Sequence, residues 1–242
     1  MQHLIIGLAT DIGQVRNHNE DSVWCGAIDG SRTLCIVADG MGGHAAGEVA
    51  SQLAIATVRE VFSTPDVPDP CERLKRAIQA ANHAIWERGN QVATQHGMGT
   101  TLTSALLSEN RVILGHVGDS RAYLLRDSVL TQLTHDHSWV AEQVRAGLLT
   151  EEQARWHPYR NIITRALGSA PDVTVDMLTE PLLPGDTILL CSDGLSGQVT
   201  DEELRDVLLT CAPQNAVERL IEMANANGGP DNITAVVIHC DA

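Results

Sequence analysis

Apolar residues along the chain recur with two different periods, and the alternation between them sets out the fold. Residues 3–9, 22–27 and 33–38 are short apolar runs separated by polar turns, which predicts three strands in a meander rather than in βαβ winding. Past His44 the period changes. Val49, Leu53, Ala54, Val58, Val61 and Phe62 recur every three or four residues, so a one-sided helix is expected, ended by the prolines at 65, 68 and 70. A second amphipathic helix is predicted from about Cys71 to Gln91, with Leu74, Ile78, Ala81 and Ile85 on its apolar face. Two consecutive helices with one stripe each need a sheet to lie against.

Short strands return at 99–107, 111–117 and 121–125, joined by Ser108-Glu109-Asn110 and Gly118-Asp119-Ser120, and their close spacing predicts antiparallel hairpins. Residues 131–168 are polar and long for a connection inside a domain. Helices are predicted within them at 138–146 and 150–156, as in a lid beside a functional cleft. Strands at 173–177 and 187–192, helices at 201–209 and 213–226 and a last strand at 233–239 complete the order. The fold class expected is α+β: two mainly antiparallel sheets with helix pairs outside, in one domain over residues 1–242.

Composition narrows the function classes. Of the 242 residues 43% are hydrophobic but only 3% aromatic, so the core must be aliphatic. The formal net charge of −15 argues against nucleic acid or an anionic membrane as partner and suits a protein that gathers divalent cations. The six cysteines show no CxxC spacing and mostly sit in apolar runs, so buried thiols in a reducing compartment are expected, without a disulfide framework. The run Leu4–Leu8 is too short, and too poor in preceding basic residues, for a signal peptide. No stretch approaches the roughly 20 apolar residues of a membrane span. A soluble, cytoplasmic protein is the expectation.

The chemistry gathers where apolar runs end. Asp39-Gly40 closes one, Asp193-Gly194 closes another, and Asp231 stands in Gly228-Gly229-Pro230-Asp231-Asn232, with Asp21 at a further strand edge. A single Asp-Gly reads equally as a turn. Four carboxylates delivered to strand edges read as ligands for hard cations with all-oxygen shells, Mg²⁺ or Mn²⁺, since no paired His/Cys spacing supports zinc. Two such ions sharing a carboxylate would ready a water for in-line attack on phosphorus. Arg16, in a loop five residues before Asp21, is either a surface arginine or a bidentate clamp for phosphate. His44 is either a helix-starting residue or the acid that protonates the leaving oxygen. Asp119 caps its turn or binds a further, weaker ion. His135-Asp136-His137 reads as an ordinary loop arrangement rather than a zinc pair, although His135-Asp136 as part of a phosphohydrolase centre acting on nucleotides is one alternative.

Taken together, Arg16…Asn19-Glu20-Asp21, Ala38-Asp39-Gly40-Met41-Gly42-Gly43-His44, Gly99-Thr100-Thr101, Val117-Gly118-Asp119-Ser120-Arg121, Thr134-His135-Asp136-His137-Ser138, Ser192-Asp193-Gly194-Leu195 and Gly228-Gly229-Pro230-Asp231-Asn232-Ile233-Thr234 resemble the metal-dependent protein phosphatases of type 2C, above all their compact bacterial members. The likeness runs in order from about residue 4 to 239. It implies a four-layer α-β-β-α sandwich and a binuclear Mn²⁺ or Mg²⁺ centre. By position Asp39 would bridge the two ions, the Gly40 carbonyl would bind one, Asp193 and Asp231 the other, and Asp21 would act through water. Asp119 matches a third-metal ligand, Arg16 the phosphate clamp and His44 the general acid, while residues 144–168 fall where relatives carry a mobile flap. The substrates implied are phosphoserine and phosphothreonine proteins, with a cognate kinase and its substrates as partners and a monomer as the state. The different class to set against it is an inactive module that binds phosphoproteins for signalling.

Overall fold

The computed structural model describes residues 3–29, 31–42, 46–64, 68–108 and 110–241. His44, proposed as the acid, lies outside the described residues, as do Gly43, Pro65 and Glu109. The first three strands are β1 (Leu4–Asp11), β2 (Asp21–Asp29) and β3 (Arg32–Met41), followed by helices α1 (Ala46–Ser63) and α2 (Pro70–Gln91). Asp69 caps α2 by accepting from the amides of Cys71 and Glu72, and Pro70 occupies the first helical turn, where its missing N–H costs nothing.

Strands β4 (Gly99–Thr100), β5 (Leu102–Ser108), β6 (Arg111–Val117), β7 (Arg121–Arg126) and β8 (Val129–Gln132) follow, then helices α3 (Trp139–Arg145) and α4 (Glu151–Arg155). The chain ends through β9 (Asp176–Pro181), β10 (Thr187–Cys191), the single-turn helix α5 (Asp193–Ser196), α6 (Asp201–Thr210), α7 (Pro213–Ala226) and β11 (Ile233–Cys240).

Two sheets result, one in the order β1-β11-β10-β7-β8 and the other β2-β3-β5-β6-β9, with β4 paired to β3. Every named pairing is antiparallel. The period-two alternation of β3 shows how the layers arise. Leu34, Ile36 and Ala38 face α1 and α2, whereas Cys35 and Val37 face the other sheet. On β11, Ile233, Ala235 and Val237 meet α6 and α7, and Val236 and Ile238 meet the β2-β3-β5-β6-β9 sheet. The chain therefore has three aliphatic cores between four layers, the α-β-β-α sandwich expected.

Several local expectations shift. The most buried positions of α1 are Ala46, Gly47, Ala50, Ser51, Ala54, Ile55, Val58 and Phe62, with Val49, Leu53 and Val61 partly buried against the same core. Small residues win that face because β2 and β3 approach closely: a Cβ on Gly47 would meet the Gly40 carbonyl oxygen at 2.9 Å. Strand β8 is absent from the pattern because its hairpin turn, Asp127-Ser128, takes positive φ of 50° and 64° without a glycine to announce it. Strand β9 begins at Asp176, three residues later than expected. The strand predicted over 99–107 is interrupted at Thr101, whose amide donates to the Asp39 carbonyl.

The cysteine expectation is corrected in one place. Cys25 and Cys35 sit opposite each other on β2 and β3, with Cα atoms 4.1 Å apart, and form a disulfide. A separation of ten residues in sequence gives no hint of such cross-strand register. Cys71, Cys191, Cys211 and Cys240 are free thiols, buried as expected at Cys191 and Cys240 and half-buried at Cys71 and Cys211. Among the described residues no helix is long and apolar enough to cross a membrane.

Candidate active site

The inner faces of the two sheets carry the candidate residues to one end of the sandwich. Asp21 and Asp39 are register partners on β2 and β3, in the same row as the Val23–Val37 and Cys25–Cys35 pairs that face the opposite sheet. Period two therefore aims both carboxylates into the mouth of the gap between the sheets. From the other sheet, β10 ends at Cys191 and Asp193 opens α5, while Asp231 lies two residues before β11. The expectation of Asp193 at a strand end thus becomes a strand-to-helix corner. Gly194 is needed there, because a Cβ would lie 2.0 Å from the Asn232 carbonyl oxygen.

Ser192 joins the two sheets at this point. Its hydroxyl donates to Asp21 Oδ2 at 2.8 Å and accepts from the Thr234 amide at 3.0 Å. Asn232 performs the equivalent service for the Arg16 loop. Its Oδ1 accepts from the Glu20 amide, and its Nδ2 donates to the carbonyls of Ile12 and His18. The Gln14 amide donates to the Gly229 carbonyl at 2.7 Å, closing the same loop onto the glycine turn. Arg16 is held where its Nη2 donates to Asp231 Oδ2 at 2.7 Å, with the guanidinium side chain 49% exposed toward solvent. One charge-assisted bond occupies that arm of a five-donor fork.

Asp119 reaches the cluster from the turn between β6 and β7. Thr101 places it relative to Asp39: its hydroxyl accepts from the Asp39 amide at 3.0 Å and hydrogen-bonds Ser120 Oγ at 2.7 Å. Gly118, with φ of 114°, packs directly on the Thr101 side chain and has no room for a Cβ. Asp21 and Asp119 are nearly buried, at 6% and 7% exposure.

The electrostatics are those of carboxylates crowded in a low-dielectric pocket. Burial, then repulsion from Asp193 and Asp231, pushes Asp21 up to about 7 from 3.8, although the Ser192 hydrogen bond works against the shift. Asp39 is pushed well above the usual carboxylate range by burial and by Asp21, Asp193, Asp119 and Asp231. Burial and Asp193 raise Asp119; burial and Asp231 raise Asp193.

Three oxygens in this pocket, Oδ1 of Asp21, Asp119 and Asp193, are buried with no hydrogen-bond partner. Buried carboxylate oxygens without donors are costly unless a cation meets them. Oxygen-only donors of this kind suit Mg²⁺ or Mn²⁺. Among the described residues no three acidic, His or Cys side chains close on one point as a finished cage.

A family model for protein phosphatase 2C matches residues 14–235. The chain belongs to the protein phosphatase 2C family. It is 46% identical over 228 residues to the serine/threonine protein phosphatase PstP of Mycobacterium tuberculosis, a match covering 94% of this chain and 43% of that protein, so the chain spans less than half the length of that relative. It is 39% identical over 237 residues to the serine/threonine phosphatase stp of Listeria monocytogenes, covering 96% of this chain and 94% of that one. The crystal structure of the PstP catalytic domain in complex with two manganese ions superposes with a TM-score of 0.88 at 42% identity, covering 99% of this chain and all of that one.

Within this 2C-type frame the His-Asp-His loop is structural. His135 is exposed while the His137 ring is buried and hydrogen-bonded to Gly118 and Asp176, and Asp136, which the nucleotide-centre alternative pairs with His135, is engaged by Arg121. Asp136 instead takes a bidentate bond from Arg121, at 2.8–3.1 Å. Ser192, Thr101 and Asn232 support the site although none had been given a role from sequence. Their trace there is their place in the Gly99-Thr100-Thr101, Ser192-Asp193-Gly194 and Pro230-Asp231-Asn232 motifs.

Proposed function

We propose that the chain is a metal-dependent serine/threonine protein phosphatase that hydrolyses phosphoserine and phosphothreonine monoesters without a covalent intermediate. The observation that carries this is the meeting of carboxylates from both sheets, with donorless buried oxygens, beside Arg16. Asp39 would bridge two ions, with the Gly40 carbonyl on one, Asp193 and Asp231 on the other, and Asp21 acting through water; Asp119 would serve a third, weaker one. When bound, the ions supply charge neutralisation and a nucleophilic water near neutral pH.

The chain's own residues do the remainder. Arg16, tethered at one nitrogen to Asp231, presents its remaining donors toward solvent, where two phosphate oxygens would be gripped and oriented. Ser192 keeps the Asp21 carboxylate turned into the cleft, and Thr101 fixes Asp39 and the Asp119 turn as one unit. His44 is our candidate for protonating the leaving serine or threonine oxygen. Residues 144–168 we take as a lid beside the cleft, in a single catalytic domain spanning the chain. Phosphorylated proteins, a cognate kinase among them, are the proposed partners, for a cytoplasmic monomer.

The test is hydrolysis of a phosphothreonine peptide by chelated protein to which Mn²⁺ or Mg²⁺ is restored. Turnover should return with metal and be lost in Asp39→Asn. Folded protein inert with every divalent cation would overturn the reading. The alternative, an inactive phosphoprotein-binding module, predicts peptide binding that survives Asp39→Ala. It is not favoured, since the 2C-type relatives named above are phosphatases and every proposed ligand position here keeps its oxygen donor.

A further inference from the structure

The loop between β8 and α3 is tied by several hydrogen bonds to the Asp119 turn and to the start of β7 that follows it. The Leu133 amide donates to the Ala122 carbonyl, Thr134 Oγ1 accepts from the Ala122 amide, and Asp136 grips Arg121. His137 makes the tightest connection. Its own amide donates to the Gly118 carbonyl at 2.8 Å, and its Nδ1 accepts from the Gly118 amide at 3.0 Å, so both peptide groups flanking Gly118 are held by one residue.

The tautomer follows from these bonds. An Nδ1 that accepts leaves the proton on Nε2, which donates to Asp176 Oδ2 at 3.1 Å, and Asp176 is in turn gripped by Arg165 at 2.6 Å. His137 also faces His116 at 4.8 Å between ring centroids, and its carbonyl accepts from the Thr164 amide. The ring is thus packed and bonded on all sides, while the backbone it holds leads directly into Asp119. Gly118, with its φ of 114°, has no side chain of its own to fix that turn.

We propose that His137 is a positioning residue for cation binding by Asp119: through Gly118 it holds the turn that carries Asp119, whose Oδ1 is buried and donorless. This rests on the metal-dependent function proposed above and adds a residue that touches neither metal nor phosphate. Groups that orient a ligand in this way commonly change metal affinity by about 10–100-fold when lost.

The experiment counts Mn²⁺ bound to the chelated full chain by electron paramagnetic resonance, with hydrolysis of p-nitrophenyl phosphate as a second readout. His137→Leu should weaken the same binding step as Asp119→Asn, by about tenfold or more, and should add nothing further when combined with it. His137→Asn, whose amide oxygen stands near the Nδ1 position, should stay within about threefold of wild type. Because removing a buried imidazole can unfold a protein, Asp176→Asn supplies a milder probe, its side chain being 45% exposed. It should weaken the same step by about threefold. The proposal fails if His137→Leu and Asp176→Asn bind Mn²⁺ as wild type does. It also fails if every binding step weakens equally, or if the Leu and Asp119→Asn effects add. Wild-type protein that binds no Mn²⁺ at all would remove the metal-dependent function itself, and this inference with it.

Discussion

Replacing Asp21 with Asn removes one negative charge from the cleft at almost constant shape, and the structure sets the size of the response. Burial first, and Asp193 and Asp231 next, hold Asp21 at about 7 against 3.8. That difference of about three units, at about 1.4 kcal/mol each, puts a ceiling of about 4 kcal/mol on what ionised Asp21 costs the metal-free fold. A neutral amide meets part of the same burial cost, so the expected gain for metal-free Asp21→Asn at pH 8 is about 1–3 kcal/mol. The sign follows from proton affinity. The folded state binds this proton more tightly than the unfolded chain, so metal-free wild type loses stability as pH rises from about 4 to about 7. The Asn variant lacks that slope, and its advantage should shrink by more than half at pH 5.

Urea unfolding of exhaustively chelated protein at the two pH values, followed by tryptophan fluorescence, reads the difference directly. With Mn²⁺ at a hundredfold excess over its dissociation constant, wild type should gain about 2.7 kcal/mol per ion bound and the variant less. Parallel pH profiles for the two proteins, or a variant less stable than wild type at pH 8 without metal, would refute the crowded-carboxylate reasoning.

Other perturbations report on other parts of the same construction. Arg16→Ala should raise KM for a phosphothreonine peptide about tenfold or more, with Arg16→Lys recovering part of the loss because it keeps the charge without the fork; steady-state kinetics decide it. Gly40→Ala should destabilise by about 2 kcal/mol or more, since its Cβ would sit 2.2 Å from the Gly47 carbonyl oxygen, and a thermal melt is enough to see it. Arg126→Leu should lower stability by about 2 kcal/mol while leaving Mn²⁺-dependent turnover intact. It strips the two-pronged partner from Asp186, whose side chain is 2% exposed and far along the strand from the cleft.

What was legible in the chain followed from period and punctuation. Strands β2, β3, β6, β7, β10 and β11 and helices α2, α6 and α7 stand within a few residues of their expected places because their apolar spacing is uninterrupted. The metal-site candidates were legible because each carboxylate adjoins an apolar run or a glycine cluster. The rest needed three-dimensional register. Nothing local marks Ser192 as the donor to Asp21, 171 residues away, or Asn232 as the clamp on the Arg16 loop. On α1 the expected stripe packs on the core, but the small buried residues Ala46, Gly47, Ala50 and Ser51 were not legible, because apolar size is a poor guide where a helix must lie close to backbone. The Asp127-Ser128 turn hid β8 by reaching left-handed φ without glycine, and the Cys25–Cys35 bond depended on which strand positions stand opposite each other.

Asp21 and Asp39 ride on one sheet while Asp193 and Asp231 adjoin strands of the other, and side-chain packing with hydrogen bonds such as Ser192 to Asp21 fixes how the slabs sit against one another. Ions seated among these four would act as a clasp across a seam, so metal occupancy would stiffen the whole sandwich rather than its rim alone. The reverse holds equally. A bulkier side chain at Val37 or Val236, deep in that seam and out of reach of any substrate, would spread the jaws of the clasp and dim activity from within.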